Sequence, residues 1–132
     1  MRRWLPVLFA VSLAACASDA NVYLERPVEQ IYSDAYRELQ AGNYARAADE
    51  FGEVERQHPY SAWAAKAQLM AGFSHYQDSK YDDAINTLDR FIQLHPGHKD
   101  IAYAYYLRGI SYYEQISDVE RDQKMTRLAM EN

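Results

Sequence analysis

The sequence contains very little cysteine, glycine or proline. Cys16 is the only cysteine among 132 residues, so no disulfide can form within the chain and the fold must depend on packing. Five glycines and four prolines are present, and the alternation of apolar and polar residues that marks β-strands is absent. These scarcities favour an all-α fold.

Positive charge is also in short supply. Lysine and arginine number 14 against 19 acidic residues, which gives a net charge of −5. Nucleic acids and anionic lipid surfaces are bound by clusters of lysine and arginine. We therefore expect no nucleic-acid partner.

The residue patterns of common catalytic and metal sites are missing as well. There is no His-Glu-x-x-His, no glycine-rich phosphate loop and no Cys-His arrangement. The segment from His95 to His98 could be imagined as a metal clip, but no third ligand accompanies it. Two turn histidines beside a helix-ending proline explain it better. We expect neither catalysis nor a bound metal, and no cofactor.

What the sequence does contain begins at Cys16. This residue follows Leu13-Ala14-Ala15, which ends an apolar run that starts at Trp4 behind Met1-Arg2-Arg3. The order is typical of a secretory signal peptide, and the run is shorter than the roughly 20 residues needed to span a bilayer. The Leu-Ala-Ala-Cys ending resembles the lipobox of bacterial lipoproteins, which implies a covalent lipid on Cys16. A free thiol behind an ordinary signal sequence is the less favoured alternative.

The lipobox resemblance also implies a destination. In lipoproteins an aspartate directly after the cysteine favours the inner membrane, whereas Ala17 stands here. The expected location is the outer membrane, lipid-anchored, at its periplasmic face. Several acyl chains anchor a protein stably, since each buried methylene contributes about 0.8 kcal/mol. We predict a signal peptide over residues 1–15 and a lipidated N-terminus and linker over residues 16–27.

The rest of the sequence matches itself at an offset of 37 residues, the separation of Tyr44 from Tyr81. Gln57-His58-Pro59 likewise corresponds to Leu94-His95-Pro96. A repeat of this length is typical of solenoid folds. Further matches at the same offset pair Ala65, Ala67, Gly72, Ser74 and Tyr76 with Ala102, Ala104, Gly109, Ser111 and Tyr113.

Within each repeat the apolar residues recur with a helical period and form a stripe roughly 100° wide. Each repeat is therefore expected to be a pair of antiparallel helices. The residue before a proline is pushed out of the α region, so the two His-Pro dipeptides should close the second helix of a pair. Helical repeats are predicted over about 28–59, 60–96 and 97–132, the last one incomplete.

Local features of these helices can also be predicted. Gly72 and Gly109 inside helices indicate close helix contacts, which would compensate their low helix propensity. Ser79 and Asp82 have the spacing of a capping box. The period exceeds the usual value of about 34 residues, and the surplus is expected to extend a first helix around Tyr60 to Ala64.

These motifs resemble tetratricopeptide repeats, with a small residue inside the first helix, a second helix that starts near Tyr-x-x-Ala and a closing proline. Combined with the lipobox, the segments Arg90 to Pro96 and Ala102 to Gly109 resemble the BamD (ComL-like) family of outer-membrane assembly lipoproteins. The resemblance implies a tetratricopeptide-like α-solenoid. The family has further repeats, so the sequence is interpreted as an N-terminal part. An apolar face on its last helix, formed by Met125, Leu128 and Ala129, is then expected to be exposed.

The resemblance further implies that the first helix of each repeat lines a concave peptide-binding face. Twelve tyrosines offer aromatic area with a polar tip, which suits peptide recognition. The same stripe also packs the repeats, and we expect about two thirds of it to be mainly core, with Tyr36, Tyr103 and Tyr106 open to a ligand. The candidate peptide-binding residues are Tyr32, Tyr36, Leu69, Phe73, Tyr76, Tyr103, Tyr106, Ile110 and Tyr113.

The family resemblance implies a non-enzymatic scaffold of the β-barrel protein assembly machine, which inserts β-barrel proteins into the outer membrane. Its partners would be the other subunits of that machine, unfolded outer-membrane protein segments and, through its lipid, the membrane. A repeat lipoprotein that acts as an adaptor in cell-wall or pilus organisation is an alternative. Another is an enzyme whose catalytic domain follows these residues.

The lipobox interpretation is tested at Cys16. Cys16→Ser should abolish acylation and leave the protein uncleaved or soluble, because a serine hydroxyl offers no thioether. Metabolic labelling with a fatty acid measures the outcome, and Ala17→Ser is the neighbouring control that should label like the parent. Unchanged labelling of Cys16→Ser would show that the interpretation is wrong.

Overall fold

The computed structural model describes residues 25–116 and 123–132. In this part of the chain each helix packs on the next, α3 also contacts α5, and no strand occurs. None of these helices is both long and apolar enough to cross a membrane. The predicted all-α solenoid of tetratricopeptide-like helix pairs is confirmed, whereas Cys16 and the predicted signal peptide lie outside the described residues. The helices are α1 (Val28–Gln40), α2 (Tyr44–Gln57), α3 (Ala64–Gln77), α4 (Tyr81–Leu94), α5 (Ile101–Glu114) and α6 (Gln123–Met130).

The apolar stripes of the helices meet in two cores. The first core lies between α1, α2 and α3 and contains Ile31 and Phe51, both 0% exposed. The second lies between α3, α4 and α5 and contains Leu88 and Phe91, also 0% exposed. Burial of one such side chain contributes about 1.5–3 kcal/mol. The solenoid is therefore held together by contacts between neighbouring helices, as expected for a repeat protein.

Helix α3 takes part in both cores. Ala67 and Ala71 pack in the first core, and Leu69 packs in the second. At Gly72 a Cβ atom would lie only 2.8 Å from Cδ2 of Leu88 on α4, closer than van der Waals contact permits in a packed interior. The glycine thus allows α4 to approach α3, and the predicted close contact at this position is confirmed.

Helix α6 packs against α5 beside a second helix glycine. A Cβ atom at Gly109 would lie 3.3 Å from Cβ of Asn132 and 3.4 Å from the carbonyl oxygen of Ala129. Met125, Leu128 and Ala129 are half-buried. The expectation that the apolar face of α6 is left uncovered is wrong for these three residues, because α6 lies against α5.

The first two helix pairs share one kind of turn. Gly42 after α1 and Ser79 after α3 have φ angles of +78° and +59°, in the left-handed region. After α3 the N–H of Lys80 donates to the carbonyl of His75, and that of Ser79 to Tyr76. The same two bonds surround Gly42 one repeat earlier. This pattern is a Schellman motif, which usually has glycine at the left-handed position.

The predicted capping box at Ser79 is therefore wrong. Helix α4 begins at Tyr81 behind Lys80, and no side chain caps it with a hydrogen bond. Ser79 terminates α3 instead of starting α4, because its left-handed backbone belongs to the Schellman turn.

The predicted extension of a first helix around Tyr60 to Ala64 is also wrong. Helix α3 begins at Ala64, and the residues before it form turns in which the N–H of Ser61 donates to the carbonyl of His58. Pro59 disfavours the α conformation at His58. The surplus residues of the repeat therefore lie in a loop.

Arg26 ties the segment before α1 to the end of α2. Its backbone N–H donates to Oε1 of Gln57 at 2.8 Å, and its carbonyl lies 2.6 Å from Nε2 of His58. Its guanidinium donates to Glu50 at 2.7 Å and lies 3.4 Å from Asp34. The hydrogen bond with Glu50 raises the pKa of Arg26. The chain therefore enters α1 from a fixed position on the first helix pair.

The contact at Gly72 predicts opposite effects of one substitution at two helix glycines. Gly72→Ala should lower the free energy of unfolding by about 1–2 kcal/mol, and Gly72→Leu by more, because the added atoms overpack the contact with Leu88. Gly52→Ala should raise it by about 0.5–1 kcal/mol, because a Cβ there meets no atom within 4 Å. Urea denaturation measures each value. Shifts of the same sign for the two alanine variants would contradict the close contact.

The Schellman turn predicts that one polar residue can be replaced with a gain in stability. Ser79→Gly should raise the free energy of unfolding by about 1 kcal/mol, because glycine adopts the left-handed conformation without the steric penalty of a Cβ atom. Gly42→Ala, at the same place in the preceding turn, should lower it by a similar amount. Thermal melts of both variants test the turn. A Ser79→Gly protein no more stable than its parent would count against the left-handed assignment.

Candidate peptide-binding grooves

Four of the nine candidate peptide-binding residues are exposed. Tyr36 on α1 is 44% exposed, and Tyr103, Tyr106 and Tyr113 on α5 are 41%, 59% and 65% exposed. Burial of part of its ring raises the pKa of Tyr103, so the phenol is protonated at neutral pH and can donate a hydrogen bond. These four side chains can contact a peptide without any change in the packing of the helices.

The other five candidates pack the repeats together. Tyr32 is 9% exposed in the first core, and Leu69 is 5% exposed in the second. Leu69 was predicted to face the groove because of its place on a first helix. In the structure it packs in the second core, where α3, α4 and α5 meet. It therefore presents almost no surface to a ligand. The half-buried candidates, which pack against the second core, are Phe73, Tyr76 and Ile110.

An open groove of about 630 Å³ lies between α1 and α3, and we call it the α1–α3 groove. Tyr32 forms its aromatic floor, with ring centroids 4.8 Å from Trp63 and 5.3 Å from Phe51. The Nζ atom of Lys66 lies 5.2 Å from the Tyr32 ring centroid and 5.9 Å from that of Trp63. Such distances permit cation–π attraction. The residues that line the groove are Glu29, Tyr32, Ser33, Tyr36, Trp63, Lys66 and Met70.

Sequence reasoning missed Trp63 and Lys66. Trp63 precedes α3, in a loop that was predicted as helix, and its position falls outside the apolar stripe that defined the candidates. Lys66 lies in the first turn of α3 and is the only lysine or arginine of that helix. The signal that could have identified this side of the α1–α3 groove is a single lysine, Lys66, that follows a tryptophan, Trp63, at the start of the first helix of a repeat.

A second depression, the α5–α6 groove, has a volume of about 430 Å³ and lies where α6 covers part of α5. Tyr106, Ile110 and Tyr113 line its α5 side, and Ala129 and Met130 line its α6 side. The ring centroids of Tyr103 and Tyr106 are 6.3 Å apart with an interplanar angle of 32°. Among the candidate tyrosines, Tyr32 and Tyr36 thus line the first groove, and Tyr106 and Tyr113 line the second. Tyr103 lies beside Tyr106 at the second groove, and Tyr76 lines neither.

The histidines have structural surroundings. His95 and His98 both pack on the ring of Phe91, with centroids 5.3 Å and 5.2 Å away, and the N–H of Asp100 donates to Nδ1 of His98 at 3.1 Å. Burial lowers the pKa of His75, so this ring is neutral at neutral pH. Across residues 25–116 and 123–132, no three histidine, cysteine or acidic side chains are grouped so that they could hold a metal ion.

The two grooves therefore offer aromatic area, phenolic hydrogen-bond donors and one ammonium group. This chemistry suits the recognition of an extended chain that carries aromatic or apolar side chains.

Known proteins with similar sequences are named as assembly factors. The chain is 50% identical over 128 residues to the outer membrane protein assembly factor BamD of Caulobacter vibrioides. This match covers 94% of this chain and 42% of that protein. Proteins of the same name from Rickettsia prowazekii and Neisseria meningitidis serogroup B are 38% and 35% identical. Those two matches cover 96% and 84% of this chain, and 51% and 44% of the relatives. The chain thus spans about half the length of the curated relatives it matches.

A sequence model of the YfiO family, described as "Outer membrane lipoprotein", matches residues 24–132. The match includes all the helices that the structure describes. The chain belongs to this YfiO family of outer membrane lipoproteins.

Proposed function

We propose that this protein is a lipid-anchored scaffold in the assembly and insertion of β-barrel proteins into the outer membrane. It acts at the periplasmic face with the other subunits of the assembly machine, catalyses no reaction and needs no cofactor beyond the lipid on Cys16. The names of its relatives support the assembly role. The observation that carries the proposed mechanism is the aromatic α1–α3 groove with Lys66 at its wall.

The α1–α3 groove suits the end of an extended chain that carries an aromatic side chain. Tyr36 is exposed, and Trp63 and Met70 are half-buried beside it. A bound aromatic ring would cover this area, and a pair of rings adds about 0.5–1.5 kcal/mol beyond the area that it buries. Lys66 supplies a cation at the same wall, so a carboxylate near it would gain a charge-assisted hydrogen bond.

Unfolded β-barrel proteins have the chemistry that the groove selects. Each strand of a membrane barrel alternates apolar and polar residues, and aromatic residues mark the two membrane interfaces. Before the barrel closes, the backbone of such a strand is extended and its apolar side chains lack partners. A groove that holds one aromatic ring and one terminal carboxylate would retain such a strand without folding it.

The exposed tyrosines of α5 provide a second contact. Tyr103 and Tyr106 have rings inclined by 32° to each other, so both can lie against one extended segment. Two tyrosines lose little conformational freedom on binding because each has only two side-chain torsions. The α5 surface would bind a further part of the strand whose end lies in the α1–α3 groove.

The anchor would keep these grooves close to the membrane. The linker from Ala17 to Pro27 could reach up to about 40 Å when fully extended, at roughly 3.3 Å per residue. Arg26 fixes the point where this linker joins the first helix pair, through its bonds to Gln57 and Glu50. The helical part therefore has a defined point of attachment for the linker.

The grooves are tested with a fluorescein-labelled peptide from the last strand of a barrel protein, which ends in an aromatic residue with a free carboxylate. Tyr36→Ala, Tyr103→Ala and Tyr106→Ala should each weaken binding by about 1–2 kcal/mol, the size expected of interface anchors. Lys66→Gln should weaken binding of this peptide but not of its amidated form, because only the free acid presents a carboxylate. Fluorescence anisotropy gives the affinities.

Two controls separate the grooves from the fold. Lys99→Gln removes an exposed lysine outside both grooves and should leave both affinities unchanged. Tyr81→Ala removes a ring whose centroid lies 5.8 Å from that of Tyr76, and it should lower the thermal midpoint instead of the affinity. Unchanged affinity in a folded Tyr103→Ala, Tyr106→Ala double variant would sink the assignment of α5. The same result for Tyr36→Ala and Lys66→Gln would sink that of the α1–α3 groove.

A further inference from the structure

A third recess lies over the N-terminal half of α3, apart from the two tyrosine grooves. The C-terminal ends of α2 and α4 form its walls around a volume of about 320 Å³. Its rim carries two exposed apolar side chains, Tyr60 at 101% and Leu94 at 59%. We call it the Gln68 recess, after the buried α3 residue at its base. Among its lining residues are Glu55, Pro59, Tyr60, Ala64, Gln68 and Leu94.

Gln68 has an unpaired hydrogen-bond donor. The residue is 2% exposed, and its Nε2 atom has no hydrogen-bond partner among the residues that the structure describes. Buried polar groups in native proteins nearly always have a partner. A buried amide that lines a recess and lacks one indicates an acceptor that comes from outside the chain.

The residue that corresponds to Gln68 in the next repeat has different surroundings. Tyr105 stands one repeat after Gln68 in the sequence, and its ring centroid lies 5.1 Å from Cζ of Arg108. Arg108 in turn pairs with Asp89 on α4. Tyr105 is 37% exposed, so the side chain there is not a buried donor. The unpaired donor on α3 therefore has no counterpart at the same place on α5, and it is not a general feature of the repeat.

We propose that the Gln68 recess binds an extended segment of a partner protein through one large apolar side chain and one main-chain carbonyl. The apolar side chain would lie between Tyr60 and Leu94, and the carbonyl would accept a hydrogen bond from Nε2 of Gln68. This surface is separate from the grooves of the proposed function and adds a third place at which the scaffold holds a polypeptide.

Two observations favour an extended and uncharged occupant. A recess near the lower limit of ligand-pocket volumes admits a side chain rather than a helix, and the carbonyls of a helix are already paired within it. Glu55 on α2 and Arg90 on α4 form an ion pair of 2.9 Å between the two walls. Because these charges compensate each other, Glu55 is not available to pair with a charged side chain in the recess.

The experiment measures binding of an acetylated and amidated hexapeptide of alternating threonine and phenylalanine to the full chain, by isothermal titration calorimetry. Gln68→Met keeps the size of the side chain but removes the donor, so it should weaken binding about tenfold while the thermal midpoint stays equal or rises. Leu94→Asp should weaken binding at least as much. Its matched control is Gln93→Asp, at the exposed neighbouring position of α4, which should bind like the parent. A peptide with serine in place of phenylalanine should not bind.

Other outcomes would overturn the proposal. Absence of binding, or binding that both Gln68→Met and Leu94→Asp leave unchanged, would mean that the recess takes no extended segment and that water satisfies Gln68. Binding that is lost only in the Tyr103→Ala, Tyr106→Ala double variant would place the peptide at the grooves of the proposed function. Sedimentation velocity in which Leu94→Asp dissociates a dimer would make the occupant a second copy of this chain.

Discussion

The close approach of α4 to α3 at Gly72 is the contact on which both the cores and the binding surfaces depend. Helix α3 contributes Ala67 to the first core and Leu69 to the second, so its position is fixed from both sides. The Leu88 side chain packs directly on the bare Cα of Gly72, and this contact sets the spacing of α3 and α4. With α3 in place, Lys66 faces the α1–α3 groove and Gln68 lies at the base of a separate recess. One helix therefore positions two surfaces of different chemistry.

The aromatic residues of the first helices serve two purposes, and their neighbours decide which. Tyr32 and Tyr36 are one turn apart on α1, yet Tyr32 is 9% exposed and Tyr36 is 44% exposed. Tyr32 is covered because Trp63 packs on its ring, whereas Tyr36 lies beyond the reach of that contact. Tyrosine suits both positions because its ring can be buried while its hydroxyl remains near water. The aromatic residues of one helix face can therefore both pack the repeats together, as Tyr32 does, and remain exposed to a peptide, as Tyr36 does.

Several features could be predicted from the sequence, and the failures have physical causes. The offset that pairs Gly72 with Gly109 identified two close helix contacts, because a residue without a Cβ atom leaves room for Leu88 at Gly72 and for Asn132 at Gly109. The capping box at Ser79 failed because the spacing of a capping box does not reveal the backbone conformation. The serine is left-handed and belongs to the end of α3. Trp63 was missed because its segment was predicted as helix, in which it falls outside the apolar stripe, whereas it lies in a loop whose path brings it against Tyr32.

The sequence by itself determined the all-α class, the helix pairs and the positions that must be small, because these follow from periodicity and from the spacing of apolar residues along a single chain. It could not determine which tyrosines are covered, that Lys66 lies over two aromatic rings, or that Nε2 of Gln68 is buried with no hydrogen-bond partner in the part of the chain that the structure describes. Each of these facts depends on side chains from separate helices and loops that meet only in the folded solenoid. Exposure and hydrogen bonding are properties of the tertiary contacts, and residues with the same place in the repeat, such as Gln68 and Tyr105, acquire different surroundings from their different neighbours.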